Sequence, residues 1–237
     1  MNLTDWKQRP EIARRIVAFG SSNTALSAEN EGRLSWVEWL LVQAREHLGS
    51  HVSVINQGVG GETTDHLLDR IGRDVEPLSP SLVIVTIGGN DTVTEMPLER
   101  YKTNLRRICS SIRSLGAEPV LQTYYCPDYE DSGIAGIRPR FEGTMDAVRE
   151  TADELKTVLV DQYLHFEPLY RIDPADYRKL MRDWLHLNAY GNLAMARYLL
   201  NSLGLPPATP PGNMEPEASR LLRRLEAAAE SHPFRTS

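Results

Sequence analysis

Leu82-Val83-Ile84-Val85-Thr86-Ile87-Gly88-Gly89-Asn90-Asp91 is the stretch on which the reading of this chain turns. Its first part is a near-continuous apolar run, which suits a parallel strand covered on both faces. The run stops at two glycines followed by an amide and a carboxylate. A strand that ends in such a turn offers polar groups just where an open α/β sheet keeps its ligands.

The pattern repeats on both sides of this stretch. Upstream, Arg15-Ile16-Val17-Ala18-Phe19 reads as a strand ended by Gly20. Leu34, Val37, Leu41, Ala44 and Leu48 then recur at helical spacing. Val52-Ser53-Val54-Ile55 is a second strand, and residues 64–73 form a helix through Leu67, Leu68 and Ile71. Downstream, residues 98–115 are helical and are stopped by Gly116. Strands follow at residues 118–123 and 157–160, separated by a loop at 124–139 and a helix at 141–155. Residues 188–203 make the last core helix. Strands alternating with helices predict a three-layer α/β/α sandwich around a mostly parallel five-stranded sheet.

The chain has 237 residues, enough for one sizeable core. Residues 1–204 are expected to form the domain. Residues 205–237 carry a proline-rich linker, 206–216, and an amphipathic helix, 217–230, which docks on the domain or joins a second subunit in a homo-oligomer. The net charge of -6 argues against nucleic acid as a partner. Arginines at 14, 15, 106, 107, 220, 223 and 224 read as solvated surface. The polar N-terminus and the lack of a long apolar run point away from a membrane and toward the cytoplasm. The two cysteines, Cys109 and Cys126, form no CxxC pair.

Four segments hold polar residues that a core does not require. Phe19-Gly20-Ser21-Ser22-Asn23-Thr24 puts serines at a strand-to-helix turn, where serine also serves as a plain N-cap. Residues 56–64 hold three glycines that let backbone N–H groups approach an anion, or simply make a turn. Asn90 can donate to a developing negative charge, or close an Asx-turn. Asp183-Trp184-Leu185-His186 pairs a carboxylate with an imidazole, the set that takes a proton from a serine. A metal reading of Asp183 and His186 lacks a third ligand.

In this order the four segments resemble the SGNH hydrolase superfamily, the GDSL esterases and lipases. The resemblance runs from about residue 15 to 200. The family's GDS reads Gly20-Ser21-Ser22 here, with Ser21 in place of the aspartate. The resemblance implies a flavodoxin-like sheet and a catalytic set of Ser22, Asp183 and His186. It also implies an oxyanion hole of the Ser22 N–H, the Gly61 N–H and the Asn90 amide. No metal or organic cofactor is implied. The expected activity is hydrolysis of a small carboxylic ester, short-chain or acetyl, on a carbohydrate in one version. A non-catalytic module binding a small anion on the same fold is the alternative.

The remaining candidates receive plainer readings. His47, His51, His66 and His232 are expected on the surface without partners, and His165 in the core or at its rim. Tyr124, Tyr125, Tyr129 and Trp184 pack, or rim an acyl or sugar pocket. Cys126 is a point where oxidation could affect activity.

Overall fold

Five strands form the centre of the protein: β1 (Arg14–Gly20), β2 (Val52–Gly58), β3 (Leu82–Thr86), β4 (Glu118–Gln122) and β5 (Val158–Val160). They are seen in a computed structural model that describes residues 1–25 and 33–231. All pair in parallel, in the order β2-β1-β3-β4-β5. Successive side chains of a strand point to opposite faces, so each strand feeds two cores. Ile16 and Ala18 join Ile84 and Val120 on one face, while Val17 and Phe19 join Val83, Val85 and Leu121 on the other. That double burial is why the strands read as apolar runs rather than as alternating ones.

Helices α1 (Ser22–Ala25) and α4 (Gly89–Val93) are short turns at the carboxyl ends of β1 and β3. Helices α2 (Trp36–Leu48) and α9 (Ala189–Ser202) cover one face, and α3 (Thr64–Asp74) and α5 (Leu98–Ser114) the other. Helix α6 (Ile137–Glu154) supplies Phe141 and Met145 to the first core and Ala147, Val148 and Ala152 to the second. Ser35 starts α2 with a capping box: its backbone N–H donates to Glu38 Oε2 at 2.7 Å. The chain runs outward from β1 to β2 and then crosses back to β3. This reversal opens a crevice beyond the carboxyl ends of β1 and β3, where the functional segments lie.

Several expectations need correction. β2 continues to Gly58, because Asn56 and Gln57 still pair with Ala18 and Phe19 of β1. α6 begins at Ile137, inside the expected loop, with Pro139 tolerated in its first turn. Besides the short α1 and α4, which the sequence marks as turns, two helices are unanticipated, α7 (Gln162–Ile172) and α8 (Pro174–Arg178). Pro168 sits inside α7, and Tyr163, Phe166, Glu167, Leu169 and Tyr170 are all buried around it, so neither periodicity nor composition marks a helix. Asp161 caps α7 by accepting from the Leu164 N–H at 3.1 Å.

Helix α10 (Glu217–Ser231) explains that burial. Its Leu221, Leu222, Leu225 and Ala228 join the core that holds Phe166 and Leu169 of α7 and Leu199 of α9. The apolar face that could have met a second subunit is thus occupied within the chain. The proline-rich segment before it also packs, with Ala208 and Met214 buried. Arg220 and Arg224 remain at the surface but are ion-paired: Arg220 donates to both Asp176 oxygens at 2.8 and 3.0 Å, and Arg224 pairs with Asp173. Among the described residues no helix is long and apolar enough to cross a membrane. His232 lies outside the described residues.

Candidate active site

The turn after β1 is sharp because Gly20 carries no side chain. A Cβ there would lie 2.4 Å from both Thr24 Oγ1 and the Thr86 carbonyl oxygen. The carbonyl of Ser21 accepts from the N–H groups of Thr24 and Ala25, closing the first turn of α1 with Ser22 at its head. Ser21 is fully buried, its hydroxyl 2.7 Å from the Tyr124 hydroxyl. Ser22 is half-buried and faces the last loop.

That loop is framed by a bridge between Met181 and Leu187. Asp183 Oδ1 accepts from the N–H of Leu185 at 2.9 Å and of His186 at 2.8 Å, which folds the loop back on itself. Both carboxylate oxygens also lie 2.9 Å from His186 Nδ1. The other ring nitrogen, Nε2, lies 2.9 Å from Ser22 Oγ. Residues 164 positions apart thus form one continuous relay of hydroxyl, imidazole and carboxylate. Burial pushes the Asp183 carboxyl up, but the Leu185 N–H and the His186 ring outweigh it and hold the group below its ordinary range. An ionised carboxylate there favours the tautomer with the proton on Nδ1, leaving Nε2 free to accept one from Ser22.

Gly61 and Asn90 approach from the other side. A Cβ on neighbouring Gly60 would lie 3.9 Å from Ser22 Cβ, so this loop borders the serine. Gly61 has φ +82, a conformation that glycine adopts without strain. The Asn90 amide donates one N–H to the Glu62 carbonyl at 2.8 Å, which fixes its rotamer. The amide carries a second N–H donor. Asp91 is buried beneath, and its Oδ1 accepts from both the N–H and the hydroxyl of Thr64, at 2.9 and 2.7 Å. These bonds join the start of α3 to α4 and bring the glycine segment to Asn90. All five predicted positions, Ser22, Gly61, Asn90, Asp183 and His186, therefore gather at one end of the sheet.

Sequence reasoning missed the residues that hold this assembly. The Tyr125 hydroxyl lies against Asn23 Oδ1 and, at 2.5 Å, the Leu185 carbonyl, while Asn23 Nδ2 donates to the same carbonyl at 3.5 Å. The neighbours of Ser22 and of His186 are thereby tied together. Tyr124 and Tyr125 are fully buried, so they pack, and the pocket-rim alternative falls for them. Trp184 is partly buried in the loop. Arg182 pairs with Asp183 at 3.2 Å. No periodicity marks these residues, because each acts across the fold.

The other candidates lie away from the relay. His51 bonds to the Trp6 carbonyl at 3.0 Å, His47 to Gln43 at 3.3 Å, and His66 Nδ1 accepts from the Thr63 N–H at 3.1 Å, so none is without a partner. His165 stacks on Tyr198 at 4.3 Å, and burial lowers it to about 4. Cys126 is fully buried and burial drives its thiol well up, which removes it as an exposed redox point. Among the described residues no group of three or more His, Cys, Asp or Glu is placed to hold a metal ion.

Comparison with known proteins agrees with this geometry. The model of the GDSL-like Lipase/Acylhydrolase family matches residues 18–194. An uncharacterized lipoprotein of Bacillus subtilis is 27% identical over 177 residues, 64% of this chain and 71% of its own. An acetylxylan esterase of Geobacillus stearothermophilus is 26% identical over 192 residues, 76% of this chain and 84% of its own. A crystal structure of an acetylxylan esterase from that organism superposes with a TM-score of 0.68 at 23% identity, covering 81% of this chain and 95% of that one. The chain belongs to the GDSL-like lipase/acylhydrolase family. It is a serine esterase of the SGNH type, and the reading as a non-catalytic anion-binding module falls away.

Proposed function

We propose that Ser22 is the nucleophile of this esterase and that its substrates are short-chain carboxylic esters, acetyl esters on carbohydrates foremost. The observation that carries the assignment is the unbroken relay from Ser22 Oγ through His186 to Asp183, each step 2.9 Å. Ser22 Oγ attacks the ester carbonyl carbon as His186 Nε2 takes its proton. The carbonyl oxygen becomes an oxyanion, held by the N–H groups of Ser22 and Gly61 and the free N–H of Asn90. The C–O bond to the alcohol breaks, and His186 returns the proton to the leaving alkoxide. Water, deprotonated by His186, then attacks the acyl carbonyl carbon; the bond from that carbon to Ser22 Oγ breaks, His186 returns the proton to Oγ, and the acid leaves.

The preference for an acetyl group on a sugar draws on the resemblance to an acetylxylan esterase. Trp184, which stands between Asp183 and His186 in the sequence and is partly buried against the core, is the aromatic residue we assign to a sugar ring. The test is hydrolysis of p-nitrophenyl acetate and p-nitrophenyl octanoate, together with acetate release from acetylated xylooligosaccharides, by wild type and Ser22→Ala. Turnover of the acetate and of the sugar ester by wild type alone is expected. Full activity in Ser22→Ala rejects the nucleophile. A preference for octanoate, with no acetate released from the sugar, rejects the substrate class.

A further inference from the structure

Arg70 projects from α3 and is only 4% exposed, although it carries a full positive charge. Buried charges persist when their donors are matched, and here four of the five N–H groups meet acceptors on four segments. Nε donates to Glu62 Oε2 at 2.6 Å, and Nη1 to Asp74 Oδ2 at 3.2 Å. Nη2 donates to the Gly20 carbonyl and to the Gln57 carbonyl, each at 3.0 Å. The guanidinium plane lies over the Phe19 ring, 4.4 Å from its centroid. One side chain thus clasps the ends of β1 and β2, the glycine segment and its own helix.

Two of these partners, Gly20 and Glu62, stand beside the segments that carry the proposed oxyanion donors. Gly20 precedes the Ser21-Ser22 turn, and its carbonyl also accepts from the Val59 N–H at 3.1 Å, which binds that turn to the glycine segment. Glu62 follows Gly61 directly. The Glu62 carbonyl receives the Asn90 amide at 2.8 Å. Gly61 and Asn90 therefore both depend on where Glu62 stands, and Arg70 holds the Glu62 carboxylate. Two carboxylates neutralise the guanidinium, so its contribution is geometric: a rigid fork that a lysine cannot reproduce.

We propose that Arg70, acting through Glu62, is a positioning residue that sets the spacing of the three oxyanion donors. The proposal rests on the assignment of Ser22, Gly61 and Asn90 made above. An oxyanion hole works only when its donors are preorganised, and a misplacement of about 1 Å costs on the order of 100-fold in rate.

The experiment compares Glu62→Ala, Glu62→Gln and Arg70→Lys with wild type in the full chain. Glu62→Ala removes the link but leaves Arg70 bonded to Asp74 and both carbonyls, so it guards against a folding failure in Arg70→Lys. Expected for Glu62→Ala and Arg70→Lys is a loss in kcat for p-nitrophenyl acetate of about 10- to 100-fold with KM within about twofold. Glu62→Gln keeps an acceptor for the Nε–H and recovers most of the loss. Combined with Asn90→Ala, Glu62→Ala should cost less than the sum of the two, because both act on one donor set. Hydrogen exchange of the backbone at 57–63 should quicken in Glu62→Ala. A kcat kept within about twofold in Glu62→Ala, or fully additive losses with unchanged exchange, overturns the proposal. Activity surviving in Ser22→Ala instead rejects the nucleophile, while the exchange at 57–63 still reports on the clasp.

Discussion

Ser22, His186 and Asp183 differ in how far their roles rest on geometry alone. Among the described residues the base that Ser22 Oγ meets is His186 Nε2, so Ser22→Ala should abolish ester hydrolysis while leaving the thermal midpoint nearly unchanged. Asp183→Asn keeps the shape of the loop but loses the charge that selects the imidazole tautomer. A fall in kcat of about 10³- to 10⁴-fold is expected, read from steady-state kinetics, with KM little altered. An Asp183→Asn enzyme at near wild-type rate would mean that the backbone of the loop alone orients His186. The cysteines make the opposite case. Burial raises the Cys109 thiol to about 11 and the Cys126 thiol well above its usual range. Neither should react with a thiol-directed dye in the native protein, and both should react after denaturation. Labelling of Cys126 in the native enzyme would show that the loop around it opens.

At the scale of elements, α10 stands out because it completes the core from the far end of the chain. Leu225 is fully buried, so Leu225→Ala should cost about 2–5 kcal/mol in urea unfolding. The relay stands on the loops beyond β1 and before α9, so kcat should change little at a temperature where the variant stays folded. Loss of activity in step with loss of stability would instead make α10 part of the machinery. The amphipathic pattern of α10 was legible in the sequence, but its berth was not. α7 was illegible for the complementary reason. Covered by α10, it is buried on most sides, polar Gln162 and Glu167 included, so no apolar stripe marks it, and its interior proline argues locally against a helix.

For the whole molecule, acid is the discriminating condition. The Arg73 side chain, aided by Arg70, holds the Asp74 carboxyl at about 2, and Arg220 with Lys179 holds Asp176 far below the ordinary range. In the unfolded chain both groups return to about 3.9. Folded values below unfolded ones mean that the native state binds fewer protons, so stability rises with pH and is lost toward acid. The contribution is complete above about pH 5 and is lost as pH falls toward about 2, where Asp74 is protonated even in the folded state. Urea midpoints measured from neutral pH downward should therefore drop most steeply below about pH 4. In Asp74→Asn that drop should be shallower, and an identical profile would show that the ion pairs around Arg70 contribute no net stability.

By itself, the order of residues determined the parallel sheet and picked out the candidate site residues. Strand runs such as 82–87 must bury both faces, and that need is written in local composition. The serine, glycine, asparagine and Asp-x-x-His segments are short and each is read without reference to the others. What only the tertiary structure decided is how they meet. Tyr125 ties the turn of Ser22 to the loop of His186 from 60 residues before Leu185. Arg70 joins two strand ends to the glycine segment from the middle of a helix. Hydrogen bonds of this kind have no period and no local propensity, because their energy depends on distances that exist only once the chain is folded.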